Sequence, residues 1–113
     1  MNEQSRIFVA GHRGLVGSAI VRNLAARQFT SLVLRERREL DLTDAAAVEA
    51  FFESERPTHV FDAAARVGGI LANDTRPADF LLENLKIQNS LIEASWRHGV
   101  QKFLFLGSSC IYP

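Results

Sequence analysis

The chain has a single cysteine, Cys110, so no disulfide can close within it and a disulfide framework is excluded. An excess of either charge is also missing. Thirteen Lys and Arg balance thirteen Asp and Glu, so no net field draws nucleic acid or an anionic membrane surface, and an anion must be held by local geometry. The longest apolar runs, such as Ile7 to Ala10 and Phe103 to Leu106, fall far short of the ~20 residues that span a bilayer. The polar start from Met1 to Arg6 lacks the apolar stretch of a signal peptide, which makes the cytosol the expected compartment. No linker or low-complexity tract interrupts the chain. These absences leave a small molecule as the expected partner, with no nucleic acid and no membrane.

What remains has the composition of one globular domain: 113 residues, 47% hydrophobic and 23% charged. Ile7-Phe8-Val9-Ala10 is a continuous apolar run ending at glycine, the pattern of a strand buried on both faces. From Gly14 to Gln28 the residues Leu15, Val16, Ala19, Ile20 and Leu24 recur at helical spacing and predict an amphipathic helix packed on a sheet. Leu32-Val33-Leu34 reads as a second strand that opens into the charged run Arg35 to Glu39. A helix is expected through Ala45 to Phe52, capped by Thr43 or Asp44 and stopping before Pro57. His59 to Ala65 is a third strand with a small-residue exit, and Val67 to Arg76 a loop. Pro77 suits the first turn of a long helix through about Arg97, with Phe80, Leu81, Leu85, Ile87, Leu91, Ile92 and Ala94 as its apolar stripe. Gly99 ends that helix and Lys102 to Leu106 is a fourth strand. The order β-α-β-α-β-α-β specifies the α/β class: a doubly wound parallel sheet of Rossmann type, about four strands with helices on both faces.

Gly11-His12-Arg13-Gly14-Leu15-Val16-Gly17 joins the first strand to the first helix, the context in which a glycine pattern carries meaning. Gly11 permits the tight turn, Gly14 lets a pyrophosphate approach the backbone, and Gly17 lets helix and strand pack closely. Unpaired N–H groups and the positive end of the helix dipole then face the phosphate. The spacing G-x-x-G-x-x-G is the form of short-chain dehydrogenase/reductases. A glycine turn that merely connects strand to helix is the alternative.

Cofactor choice is set after the second strand, where an NAD enzyme places an acid on the ribose 2′-hydroxyl. Here Arg35, Glu36 and Arg37 follow Leu34. Arginine pairs with a 2′-phosphate through charge-assisted hydrogen bonds, and Arg13 can reach the same group, so the reading is NADP. The competing reading is a solvated run of alternating charge. Asp41 lies at the mouth of the adenine pocket in this topology; it either accepts from the adenine amine or caps a turn, while Asp44 is read as the helix cap.

The chain closes on Leu106-Gly107-Ser108-Ser109-Cys110-Ile111-Tyr112-Pro113. In a parallel sheet, chemistry collects at the carboxyl ends of strands. A serine there can hydrogen-bond a carbonyl oxygen and stabilise the alkoxide formed in hydride transfer. A cysteine two residues on can exchange a proton at a carbon acidified by that ketone. As alternatives, Ser108 is a turn former and Cys110 a small buried hydrophobe.

This segment, together with Gly11 to Gly17 and Ala63-Ala64-Ala65-Arg66-Val67-Gly68-Gly69-Ile70, resembles the GDP-L-fucose synthases, a family of extended short-chain dehydrogenase/reductases. The resemblance runs essentially end to end. It implies a cytoplasmic enzyme that epimerises C3 and C5 of GDP-4-keto-6-deoxy-D-mannose and then reduces the C4 ketone with NADPH. Carried over by position, it makes Ser108 the catalytic serine, Cys110 the acid/base of epimerisation, and Arg13 and Arg37 the arginines on the 2′-phosphate. It adds Gly11, His12, Gly14, Leu15, Val16, Gly17, Asp41, Leu42, Ala64, Leu106 and Gly107 as cofactor-binding positions, and Asn84 as a structural asparagine; no metal is implied. It also implies that a full-length member is a homodimer, since extended members commonly pair through the long helix here and the next one.

The family's Tyr-x-x-x-Lys pair, the histidine that partners the cysteine, and the sugar-binding domain have no counterpart within the 113 residues. Tyr112 is no substitute, since nothing follows at its +4 position, and neither His12, His59 nor His98 is assigned the missing proton-shuttle role. The expectation is therefore residues 1–113 as one incomplete NADP-binding domain, inactive alone. The rival expectations are a non-catalytic dinucleotide-binding module, a truncated product, or another extended-family sugar-nucleotide epimerase or dehydratase.

Overall fold

The computed structural model describes residues 4–64 and 77–105, and of 77–81 the backbone only. The elements follow the order β1 (Ile7–Ala10), α1 (Leu15–Ala26), β2 (Leu32–Val33), α2 (Ala45–Glu55), β3 (His59–Asp62), α3 (Pro77–Arg97) and β4 (Lys102–Phe105). The strands form one four-stranded sheet in the order β2-β1-β3-β4, and every pair is parallel. The chain winds outward from β1 to β2 and then back across it to β3, so the winding reverses between β1 and β3. In such sheets ligands bind outside the carboxyl ends of the strands at that reversal.

β1 is buried along its whole length because both of its faces are covered. Ile7 and Val9 point to the side of α1, where they pack with Leu24 and the half-buried Ile20, Val21 and Phe29. Phe8 and Ala10 point to the opposite side, with Val48, Phe51 and Phe52 of α2, Val60 of β3, and Ile87, Leu91 and Ala94 of α3. Phe8 stands 4.6 Å from Phe51 and 6.1 Å from Phe52, the latter edge-on at 90°, and Phe51 and Phe52 meet at 5.6 Å. Burying one such ring contributes roughly 1.5–3 kcal/mol by removing it from water. This aromatic trio makes the α2 face the larger core.

The helix ends follow from local chemistry. Asp44 is the N-cap of α2, its Oδ1 accepting from the amides of Ala46 and Ala47 at 3.1 and 3.2 Å. Of the two candidate caps, Asp44 therefore holds the place. α2 closes on Arg56, in the left-handed region at φ 51°, and Pro57 follows. Gly99, at φ +69°, turns the chain out of α3.

Two packing expectations need correction. In α1, Leu24 is buried, but Leu15 is 86% and Val16 53% exposed, and Ala19 is exposed as well. The helix begins beyond the carboxyl edge of the sheet, so its first turn has no strand beneath it. In α3 the single stripe divides in two. Ile87, Leu91 and Ala94 face the core, whereas Leu85 and Ile92 lie with Leu82 and Trp96 among the exposed apolar residues. Phe80 and Leu81 lie outside the described side chains.

Candidate functional site

A cavity of about 300 Å³ opens at the carboxyl edge of the sheet, at the reversal between β1 and β3. Its walls are the glycine turn from Gly11 to Gly14, the segment Arg35 to Arg37, the segment Leu40 to Thr43, the β3 exit at Ala63 and Ala64, and Ile87 of α3.

The glycine turn is shaped by backbone contact on two sides. Gly11 has φ +79°, and a Cβ there would come within 2.7 Å of the Ala63 carbonyl oxygen. Side chains are excluded at Gly11 both by conformation and by the neighbouring strand. At Gly17 a Cβ would overlap the carbonyl oxygen of Gly11, and this close approach lets α1 start directly against the turn. Gly14 is different, since its Cβ would meet only the Gly11 carbonyl oxygen, at 3.4 Å. Gly14 is the N-cap of α1, and no side chain caps that helix or places an acid in its first turn. Where α2 satisfies its own first amides with Asp44, α1 leaves its amides to whatever occupies the cavity.

The second wall is charged, and its arginines have different tasks. Arg35 is tied into the fold: its guanidinium donates to the Leu34 carbonyl at 2.9 Å, pairs with Glu55 at 3.4 Å and lies 5.3 Å from the centre of the Phe51 ring. Arg13 pairs with Glu36 at 2.8 Å, and Arg38 with the other oxygen of the same carboxylate at 2.9 Å. Arg37 lines the cavity and is exposed. Among the described residues it makes no ion pair, and its guanidinium presents up to five N–H donors. Of Arg35 and Arg37, the structure therefore leaves Arg37 available.

On the third wall, Asp41 accepts from the Thr43 amide at 3.0 Å and the Thr43 hydroxyl at 2.7 Å. These two hydrogen bonds hold its carboxyl below the usual range, the hydroxyl contributing most. The turn-capping reading of Asp41 is thus met while Asp41 still faces the cavity.

The structure brings Gly11, His12, Arg13, Gly14, Arg37, Asp41, Leu42 and Ala64 to one cavity. Gly17 is buried beneath the turn, and Leu15 and Val16 stand exposed in the first turn of α1 and do not line the cavity. Leu106, Gly107, Ser108 and Cys110 lie outside the described residues, as do Tyr112 and the segment Ala65 to Ile70.

Three features escaped the sequence reading. Leu40 and Ile87 belong to the cavity wall as well as to the core. Asp62, the last residue of β3, is completely buried on the strand next to Ala10 and Phe105. Its Oδ1 accepts from the Ala64 amide at 3.2 Å, and among the described residues Oδ2 has no partner. Burial pushes its pKa up to about 6, against which the single amide hydrogen bond works. The signal was an acid inside an otherwise apolar strand, Val60-Phe61-Asp62-Ala63.

Residues 7–113 match the model of the NAD dependent epimerase/dehydratase family. The chain belongs to that family. Among curated members, it is 61% identical over 112 residues to GDP-L-fucose synthase 1 of Arabidopsis thaliana, covering 99% of this chain and 35% of that one. It is 56% identical over 110 residues to GDP-L-fucose synthase of Escherichia coli strain K12, covering 97% and 34%. Among solved structures of the family, it matches the GDP-mannoheptose C4 reductase of Campylobacter jejuni with NADP bound at a TM-score of 0.92 and 46% identity, over 100% of this chain and 33% of that one. The epimerase/dehydratase chain described here thus spans about a third of the length of the curated relatives it matches. No helix among its described residues is long and apolar enough to cross a membrane.

Proposed function

We propose that this chain forms the NADP-binding part of an epimerase/reductase that converts GDP-4-keto-6-deoxy-D-mannose to GDP-L-fucose. The observation that carries the reading is the cavity itself, with the glycine turn and the N-cap of α1, which no side chain caps, on one wall, and on the other Arg37, which has no ion pair among the described residues. A dinucleotide phosphate fits this donor set. The turn amides and the α1 N-terminus take the pyrophosphate, Arg13 and Arg37 take the 2′-phosphate, and Asp41 and Leu42 border the adenine. The identity to the Arabidopsis GDP-L-fucose synthase supports the choice of sugar nucleotide.

Bound NADPH supplies the hydride for the C4 ketone. In this reading Ser108 donates its hydroxyl hydrogen to the C4 carbonyl oxygen and stabilises the charge that develops there. Cys110 serves as acid or base on one face of the carbons next to the ketone, and inversion at C3 and C5 needs a second proton-transfer group on the opposite face. The exposed line Leu82, Leu85, Ile92 and Trp96 on α3 supports pairing of two copies through that helix.

A second reading, a C4 reductase without epimerisation, is favoured by the likeness to the GDP-mannoheptose C4 reductase. One experiment separates them. With whatever residues its gene encodes beyond Pro113 included, supplying the keto-sugar and NADPH in deuterated water labels C3 and C5 if epimerisation occurs, and Cys110→Ser removes that label. Reduction without label in the parent protein supports the second reading. The cofactor assignment is tested by titrating the chain with NADPH: an affinity lowered about 10-fold or more by Arg37→Ala supports it, and binding unchanged in both Arg37→Ala and Arg13→Ala refutes it.

A further inference from the structure

The carboxylate of Glu36 holds two guanidinium groups at once, Arg13 on Oε1 at 2.8 Å and Arg38 on Oε2 at 2.9 Å. Of the three, the acid is the anchored member. Its amide donates to Glu39 Oε1 at 2.9 Å, and its carbonyl accepts from the amides of Glu39 and Leu40 at 2.8 and 2.9 Å. Its side chain is 29% exposed, against 72% for Arg13 and 85% for Arg38. The two arginines reach in from solvent to a carboxylate fixed on the cavity wall by its own turn.

We propose that Glu36 is a specificity-determining residue that competes with the ribose 2′-phosphate for Arg13, and so narrows the preference of this site for NADPH over NADH. The inference rests on the reading of the cavity as an NADP site. A phosphate monoester uses the same guanidinium donors that a carboxylate uses. To take Arg13 it must displace Glu36, and the freed carboxylate then stands near a second anion. A cofactor with a free 2′-hydroxyl meets the opposite situation, since a carboxylate after the second strand accepts its hydrogen. Arg37, without an ion-pair partner among the described residues, stands outside this competition and favours the phosphate alone. The site therefore carries one residue that selects NADPH and another that opposes the selection. Exposed ion pairs are individually weak, so the competition at Glu36 shifts the affinity ratio by about 3- to 10-fold.

The test is equilibrium titration of the chain, and of Glu36→Gln and Glu36→Thr, with NADPH and NADH. Parallel titrations with adenosine 2′,5′-bisphosphate and 5′-AMP isolate the adenosine end. Both variants are expected to widen the NADPH-to-NADH affinity ratio by about 3- to 10-fold, with the same widening between the two adenosine ligands. Most of the gain should vanish near 1 M salt, where charges are screened beyond about 3 Å. Ratios within about two-fold of the parent in both variants, while Arg37→Ala still weakens NADPH binding, overturn the role of Glu36 and leave the NADP site standing. If Arg37→Ala and Arg13→Ala both leave NADPH binding unchanged, the reading of the cavity fails and the role of Glu36 with it.

Discussion

Gly17 lies so close beneath Gly11 that a methyl group on its α-carbon would overlap the Gly11 carbonyl oxygen, whereas Gly14, between them in sequence, has room for one. The three glycines of the turn therefore answer different requirements, and substitution separates them. Gly17→Ala should destabilise the fold by about 1–3 kcal/mol, the usual cost of overpacking. Gly14→Ala should leave the melting temperature nearly unchanged and weaken nucleotide binding, because its methyl projects where the pyrophosphate approaches. Thermal melts paired with NADPH titrations check both; equal stability loss in the two variants would contradict the distinction.

The arginines after β2 divide in the same manner. Arg35→Ala removes the contacts to Glu55, Phe51 and the Leu34 carbonyl, and should lower stability by roughly 0.5–1 kcal/mol with little effect on NADPH affinity. Arg37→Ala should lower NADPH affinity by about 10-fold or more, as expected for loss of charge-assisted hydrogen bonds, with no change in melting temperature. A swap of these two outcomes would place the 2′-phosphate at Arg35.

Asp62 makes stability depend on pH in an unusual direction. Burial raises its pKa from 3.8 to about 6, so the native state holds this proton more tightly than the unfolded chain. Its ionisation destabilises the fold fully above about pH 6, and that cost is relieved as the pH falls toward 4. The difference corresponds to about 3 kcal/mol. His59 works against it, since desolvation and the nearby Lys102 lower its pKa below 6.5 and stability is lost as the pH falls through that range. Asp62→Asn keeps an acceptor for the Ala64 amide, so subtracting its denaturation curves from the parent's isolates the carboxyl. The difference should be largest at pH 7–8 and shrink by pH 4–5; parallel curves would show that Asp62 is not the titrating group.

Asp44→Ala should cost about 1 kcal/mol through loss of the α2 cap. Chemical denaturation measures it, and Asp44→Asn, which preserves an acceptor, should recover most of the loss. Failure of the asparagine to do so would point away from capping.

Trp96 is 80% exposed on the outer side of α3. If two copies pair there, Trp96→Ala should weaken self-association by about 10-fold or more without lowering NADPH affinity, as befits an exposed aromatic anchor. Sedimentation equilibrium reads this directly, and an unchanged association constant would remove α3 from the interface.

The sheet was legible because each strand combines an apolar run with a turn signal at its exit, and because Gly11 to Gly17 marks the first crossover. The cap at Asp44 was legible for the same reason, as a local hydrogen bond between neighbours in sequence. What periodicity could not reveal was how far a helix overhangs its sheet. Leu15 and Val16 satisfy the spacing of a packed face yet stand in solvent, and α3 carries two apolar sides that spacing alone merges into one. The division of labour among Arg13, Arg35 and Arg37 was hidden as well. It depends on Glu36, Glu55 and Phe51, and only the fold brings Glu55 and Phe51 against Arg35.

β1 is apolar at all four positions, yet its two sides meet different neighbours: Phe8 and Ala10 the core that holds Phe51 and Phe52, Ile7 and Val9 the smaller α1 core. A strand with one wet face reports a slip of one residue by exposing apolar groups to water. Here polarity is silent, and only volume distinguishes the registers. A deletion of one residue within β1 would drive Phe8 into the space shaped for Ile7 or Val9, and would also move Gly11 off the Ala63 carbonyl. The size of one phenylalanine thus helps to fix where the ligand-facing turn begins.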